Sequence, residues 1–248
     1  LYALALLQTR RVPLVLSSHG ETFADDHRVF DHSRLLRLGL RRACRKASAV
    51  TGCSSVVTDD LRLRFGAKDP VVVPNGVDLD ECRAEPASPA FDASVPTVFA
   101  IGRIERIKGF DLLLRAFARA DLPSGVRLVV AGDGGALPSL RALASELGVG
   151  ARTDFPGRLE RAQVAASMAA ATVNVVPSRV EAFGIVVLEA WRNGRPLIAT
   201  NRGGPGTLVT DGVDGLLVDP DDTDAFPRTL ERVVSDPELA LRLAAAGA

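Results

Sequence analysis

Short runs rich in β-branched residues alternate with amphipathic stretches along almost the whole chain, and this alternation restricts the fold more than any other feature. Strands joined by helical crossovers must run the same way. The pattern therefore predicts an α/β protein with parallel sheets covered by helices on both faces. Candidate strands are residues 12–17, 49–54, 71–74, 97–102, 126–131, 173–177, 196–200 and 215–218. One interval breaks the rhythm: residues 80–96 hold three of the fifteen prolines and show no clear periodicity. The expected organisation is a partial unit over 1–80 with only three strand candidates, a linker over 81–96, and a unit over 97–248 large enough for its own core.

Thirty basic and thirty acidic residues give a formal net charge of zero. A nucleic-acid binder would carry a basic excess, so that class is disfavoured. The apolar residues 1–7 are too few to span a bilayer, and Arg10 and Arg11 follow them instead of preceding them, unlike a signal peptide. Cys44, Cys53 and Cys82 are odd in number and lack C-x-x-C spacing, which points to a reducing cytoplasm and to neither a disulfide framework nor a zinc site. With Leu1 first and a helical run last, the chain reads as a fragment cut at both ends.

Two segments carry the chemistry. Residues 97–114 read as strand, loop and helix. Arg103 leaves the strand end and Lys108 stands just before the helix, so two cations and a helix start converge where a diphosphate would fit. Only three of the thirty basic residues are lysines (Lys46, Lys68 and Lys108), and a compact ammonium approaches phosphate oxygens as a point charge. The same arrangement recurs at 173–194. Glu181 sits in the loop, Phe183, Gly184 and Ile185 open the helix, and Glu189 lies within it. Gly184 lets backbone approach a ligand without a Cβ in the way, and carboxylates near a helix start suit a ligand with phosphate in its middle and hydroxyls at its ends.

Taken in order, Gly102-Arg103…Lys108-Gly109, Gly132-Asp133-Gly134, Phe155-Pro156-Gly157-Arg158-Leu159, Glu181 through Glu189-Ala190 and Gly203-Gly204-Pro205 resemble the retaining family 4 glycosyltransferases of the GT-B fold, which contain two Rossmann-like domains. Ser18-His19-Gly20-Glu21 and Pro74-Asn75-Gly76-Val77-Asp78 match as well, so the resemblance covers nearly the whole chain. It implies that the N-terminal domain is acceptor-side and incomplete, and that the C-terminal domain binds a UDP-, GDP- or ADP-linked sugar without cofactor or metal. Arg103 and Lys108 would hold the diphosphate next to Gly102. Glu181 would touch the donor sugar, the backbone from Phe183 through Gly184 to Ile185 would cap a phosphate or contact the sugar, and Glu189 would accept from the ribose hydroxyls. Gly157 and Arg158, after another strand, would lie near the base, and His19 would orient the transferred sugar.

The acceptor, whether glycan, lipid or small molecule, stays open. A nucleotide-sugar epimerase or sugar phosphorylase on the same fold, or a non-catalytic nucleotide-sugar-binding module, is the alternative. A dinucleotide oxidoreductase is disfavoured because 132–135 lack G-x-G-x-x-G spacing. Asp78-Leu79-Asp80 has a metal-binding D-x-D form, but a turn role fits its place after Pro74-Asn75-Gly76 better. His27 and His32 among Asp25, Asp26 and Asp31 read as polar loop residues. Residues 219–224 should make a turn and cap the next helix. Arg34, Arg37, Arg41 and Arg45 form one helical stripe with Leu36, Leu40, Ala43 and Ala47 opposite. This reads first as a solvated face over a core stripe and otherwise as a peripheral contact at the inner face of the membrane. Departures from the family are Thr207, where relatives usually carry glutamate, and Trp191-Arg192 in place of a small or flexible pair.

Overall fold

A computed structural model of the chain describes residues 13–24, 26–79 and 87–248; Asp25, Asp80 and Cys82 fall outside them. By their packing, the described residues up to Asn75, together with Glu181–Phe183, form one compact unit, and those of Gly76–Val180 and Gly184–Ala248 form the other.

In the first unit β1 (Val15–Ser18), β2 (Ala49–Gly52) and β3 (Val71–Val72) make a parallel sheet in the order β1-β2-β3. Its helices are α1 (Val29–His32), α2 (Arg34–Lys46) and α3 (Ser55–Phe65). The starts of the two longer ones are written in the sequence. Ser33 Oγ accepts from Leu36 N–H (3.3 Å) and Ser54 Oγ from Val57 N–H (3.3 Å), each satisfying a donor that the first turn leaves unpaired. Gly66, at φ +69°, closes α3.

The stripe expected on α2 needs correction. Leu36 is 43% exposed and Leu35 66%, while the buried residues are Ala43 and Cys44. Arg37 and Arg41 are not simply solvated either. Arg37 donates to Phe30 O (3.1 Å) and Asp31 O (2.7 Å), and Arg41 to Arg64 O (2.9 Å). Long arginine stems reach uncapped carbonyls of neighbouring turns, which periodicity alone does not show.

The second unit runs β4 (Thr97–Ile101), a 3₁₀ turn (Arg106–Lys108), α4 (Phe110–Arg119), β5 (Arg127–Ala131), α5 (Leu137–Glu146), β6 (Thr153–Gly157), α6 (Arg161–Ala170), β7 (Val173–Val176), α7 (Ile185–Arg192), β8 (Leu197–Thr200), α8 (Pro205–Leu208), β9 (Leu216–Val218), α9 (Ala225–Ser235) and α10 (Pro237–Gly247). All pairings are parallel, in the order β6-β5-β4-β7-β8-β9. The sheet is buried on both faces, as its near-continuous apolar strands require. Val98, Ala100, Leu128 and Val130 pack on one face with Leu113, Phe117 and Leu140, while Phe99, Val129 and Met168 pack on the other. Asp222 Oδ1 receives Asp224 N–H (3.0 Å) and Ala225 N–H (2.7 Å), so the expected turn leads into α9, while Asp224 at the N-cap position makes no side-chain cap of its own.

Strand β6 is the one the resemblance expects ahead of Arg158, but it is absent from the eight runs found by periodicity, where Pro156 interrupts its signal. The proline is tolerated there because β6 is an edge strand, and the register with β5 shifts at that point.

Strand order places β4 beside β7 although they are not consecutive, and this makes a crevice at their carboxyl ends. The loops there are tightly knit. Gly132 N–H donates to Gly157 O (2.8 Å), Ile104 N–H to Asp133 O (2.8 Å) and Gly102 N–H to Ala131 O (3.1 Å). Gly132 has φ +126°, and a Cβ on it would lie 1.9 Å from Gly102 O. Gly132→Ala is therefore expected to destabilise the chain by about 2 kcal/mol or more, measured by urea unfolding; an unchanged midpoint would contradict this close approach.

Candidate functional site

Two adjoining cavities open at the carboxyl edge of the second sheet, sharing Ile101, Gly102 and Leu159. One, of about 640 Å³, is lined by Arg103, Asp133 and Arg158 together with the glycines after β4 and β5. The other, of about 420 Å³, has an apolar wall from Val164, Ile185 and Val186, and a polar rim from Glu189, Arg161 and Arg192. Gly76, Val77 and Asp78 close its side, where Arg192 Nη1 donates to Asp78 O (2.9 Å).

Of the residues singled out from the sequence, Gly102, Arg103 and Arg158 meet in the larger cavity, and Gly102, Ile185 and Glu189 in the smaller. Gly157 ends β6, its carbonyl holding the Gly132 loop. Lys108 is half-buried, with its Cδ 4.0 Å from where a Gly102 side chain would begin, so its stem runs past that glycine. Gly184 precedes α7 at φ +91°, with no side-chain cap on the helix start. Arg103 is 69% exposed and pairs with Glu105 (2.9 Å), a partner sequence reasoning passed over. His19, Glu181 and Phe183 belong to the first unit. The His19 ring lies 3.4 Å from Ser17 Oγ, and its backbone N–H donates to Glu21 (2.9 Å).

A contact that no local pattern of residues signals joins the two loops of the crevice. Arg179, in the loop after β7, forms a two-pronged ion pair with Asp111 in the first turn of α4, both bonds 2.7 Å. Burial pushes the Asp111 carboxyl up, but the hydrogen bonds and charge of Arg179 outweigh it and hold the group below the usual carboxylate range. The partners stand 68 residues apart, beyond the reach of periodicity or spacing. Among the described residues no group of three or more His, Cys, Asp or Glu side chains is placed to hold a metal ion.

A parallel sheet buried on both faces, with two adjoining polar cavities at its switch point, belongs to the GT-B glycosyltransferase class. The Anabaena protein HepE, solved with UDP-glucose, superimposes with a TM-score of 0.82 at 26% identity, over 99% of this chain and 69% of that one. Sucrose-phosphate synthase from Thermosynechococcus elongatus superimposes with a TM-score of 0.83 at 26% identity, over 99% and 64%. The family model described as Glycosyl transferases group 1 matches residues 83–248 and Glycosyltransferase Family 4 matches residues 1–81, so the chain belongs to the group 1 glycosyl transferases. Among curated relatives, the lipopolysaccharide core biosynthesis glycosyltransferase LpsE of Rhizobium meliloti is 36% identical over 214 residues, 86% of this chain and 54% of its own length. The chain thus spans about half the length of such a relative.

The Asp111 shift sets a pH window. Its contribution to stability is complete above the unfolded carboxylate value of about 3.9 and is lost as pH falls through the lower folded value. Asp111→Asn should cost about 2 kcal/mol near neutrality, with the difference from wild type closing below about pH 4. Denaturant titrations at several pH values check this, and a gap independent of pH would refute it.

Proposed function

We propose that the protein is a retaining glycosyltransferase that moves a sugar from a nucleotide-diphosphate donor to an acceptor hydroxyl without a required metal. The observation that carries this reading is the pair of adjoining cavities sharing Gly102, with Arg103 and Arg158 in one and Glu189 in the other. A diphosphate would lie against Arg103, Lys108 and the start of α7. Glu189 would accept from the ribose hydroxyls, and the backbone near Gly157 and Arg158 would meet the base. A UDP-linked donor is favoured by the likeness to HepE, solved with UDP-glucose.

In the reaction the bond between the anomeric carbon and the phosphate oxygen breaks, and its electron pair passes to the diphosphate. Arg103, Lys108 and the uncapped N–H groups of α7 stabilise the charge that grows there, where preorganised electrostatics lowers a barrier most effectively. The acceptor hydroxyl attacks from the face the diphosphate leaves, giving its proton to the departing phosphate oxygen, so configuration is retained. A double displacement would need two carboxylates flanking the bond, and Glu189, placed for ribose, does not serve that. His19 and Glu181 keep the sugar-contacting roles that the resemblance implies for the whole protein.

Lys108→Ala should weaken nucleoside diphosphate binding roughly tenfold or more. Glu189→Gln should weaken UDP binding but leave 2′,3′-dideoxy-UDP unaffected. Calorimetry with UDP, GDP and ADP reads both, alongside transfer assays on the full-length protein with and without EDTA. No diphosphate binding by the wild-type chain would sink the reading.

The membrane reading also has support. No helix among the described residues is long and apolar enough to cross a membrane, yet α2 exposes Leu35 and Leu38 beside Arg34 and Arg42, a pairing suited to an anionic cytoplasmic leaflet. The chain should sediment with phosphatidylglycerol vesicles and not with phosphatidylcholine ones, and Leu35→Ser with Leu38→Ser should abolish this. Equal sedimentation with both vesicle types would contradict a charge-guided contact.

A further inference from the structure

Lys108 lies in a turn that its own sequence holds poorly. The 3₁₀ turn Arg106–Lys108 is three residues long, has no side-chain cap, and ends at Gly109 in the left-handed region (φ +68°). A short turn of this kind has few internal bonds to resist displacement. An ammonium that must meet a phosphate oxygen within a few tenths of an ångström needs more support than this.

Arg179 supplies it from across the crevice. Its backbone N–H donates to Ile107 O (2.8 Å). Its Nη1 donates to Arg106 O (2.7 Å) and to Asp111 Oδ1 (2.7 Å), and its Nη2 to Asp111 Oδ2 (2.7 Å). The two residues before Lys108 and the first turn of the helix after it are therefore all bonded to one arginine. The turn also lies flat on the same loop, since a Cβ on Gly109 would sit 1.9 Å from Pro177 O. The Arg179 and Asp111 side chains are 18% and 31% exposed, so their ion pair is shielded more than an open surface pair.

We infer that Arg179 is a positioning residue for the donor diphosphate: paired with Asp111 and bonded to the carbonyls of Arg106 and Ile107, it fixes the turn that presents Lys108. It is not a phosphate ligand itself, because Asp111 neutralises its charge and both terminal nitrogens are directed to protein oxygens. Arg179 and Asp111 line neither of the two cavities, so their action on a ligand passes through the Lys108 turn they hold.

This inference rests on the glycosyltransferase reading, and the test separates the two. The 248-residue chain is titrated with UDP, GDP and ADP and with the matching monophosphates. In wild type the diphosphate of the preferred base binds more tightly than its monophosphate. Arg179→Ala should lose roughly tenfold or more of the diphosphate affinity with the monophosphate unchanged, and Arg179→Lys, which keeps the charge without the planar fork, should restore only part of it. Equal losses for both ligands would show a general loosening and overturn the inference, as would no loss. Should Arg179→Ala fail to fold, Asp111→Asn decides by the same diphosphate-selective criterion. A wild-type chain without preference for the diphosphate would instead reject the donor assignment itself, before any variant is made.

Discussion

Adjacent strands whose helices leave toward opposite faces open the crevice on which the rest of this structure depends. The helix after β4 packs with Val98 and Ala100 on one face of the second sheet, while the helix after β7 packs with Val176 and Leu197 on the other. The loops after β4 and β7 meet there, Arg179 N–H donating to Ile107 O (2.8 Å), and a parallel sheet buried on both faces cannot fill the gap with its own strands. The loops can approach because glycine stands where a Cβ would collide. Gly109 against Pro177 O and Gly132 against Gly102 O are both 1.9 Å cases. Strand order thus creates the site, and glycine placement decides how closely its walls come together.

Charged side chains of both signs then line the space. Each cavity is lined by two arginines and two carboxylates, Arg103 and Arg158 with Glu105 and Asp133 in the larger and Arg161 and Arg192 with Asp78 and Glu189 in the smaller, so what distinguishes them is the apolar wall of the smaller one and how firmly each charge is held. Arg103 is partly neutralised by Glu105, but an exposed pair of this kind is worth no more than about 1 kcal/mol. Breaking that pair to free the guanidinium therefore costs little. The Arg179–Asp111 pair is different: it is two-pronged, shielded and joined to backbone carbonyls, so it holds its place. One pair is available to a ligand and the other belongs to the frame.

The alternation of β-rich and amphipathic runs made the parallel architecture legible, because both periodicities are local properties of the chain. The positions of Gly102, Arg103 and Glu189 along the carboxyl edge of the sheet were legible for a related reason, since each lies at a strand end or in the helix that follows. Periodicity missed β6, which only the resemblance placed before Arg158, because a proline in a strand can be recognised as harmless only once the strand is known to be an edge. Leu36 on α2 was misread because a polar-apolar stripe shows which face could be buried but not whether a partner covers it. Arg179 and Asp111 were invisible, as their pairing arises from the crossing of two loops that no local pattern records.

The residues that depart from the family find their places in this frame. Trp191 Nε1 donates to Asp214 O (2.7 Å), and the indole occupies space that a side chain at Gly247 would need, since a Cβ there would lie 2.1 Å from Trp191 Cδ1. Arg192 spans to Asp78 O, fastening residues that close the smaller cavity. Thr207 turns its hydroxyl to Gly204 O (2.8 Å), within its own helical turn. Two of the three departures therefore brace α7, the helix that carries Glu189, against α10 and against the segment entering the unit. A carboxylate on a braced helix gains selectivity, because a rigid acceptor rewards only a ligand whose donors already match its geometry.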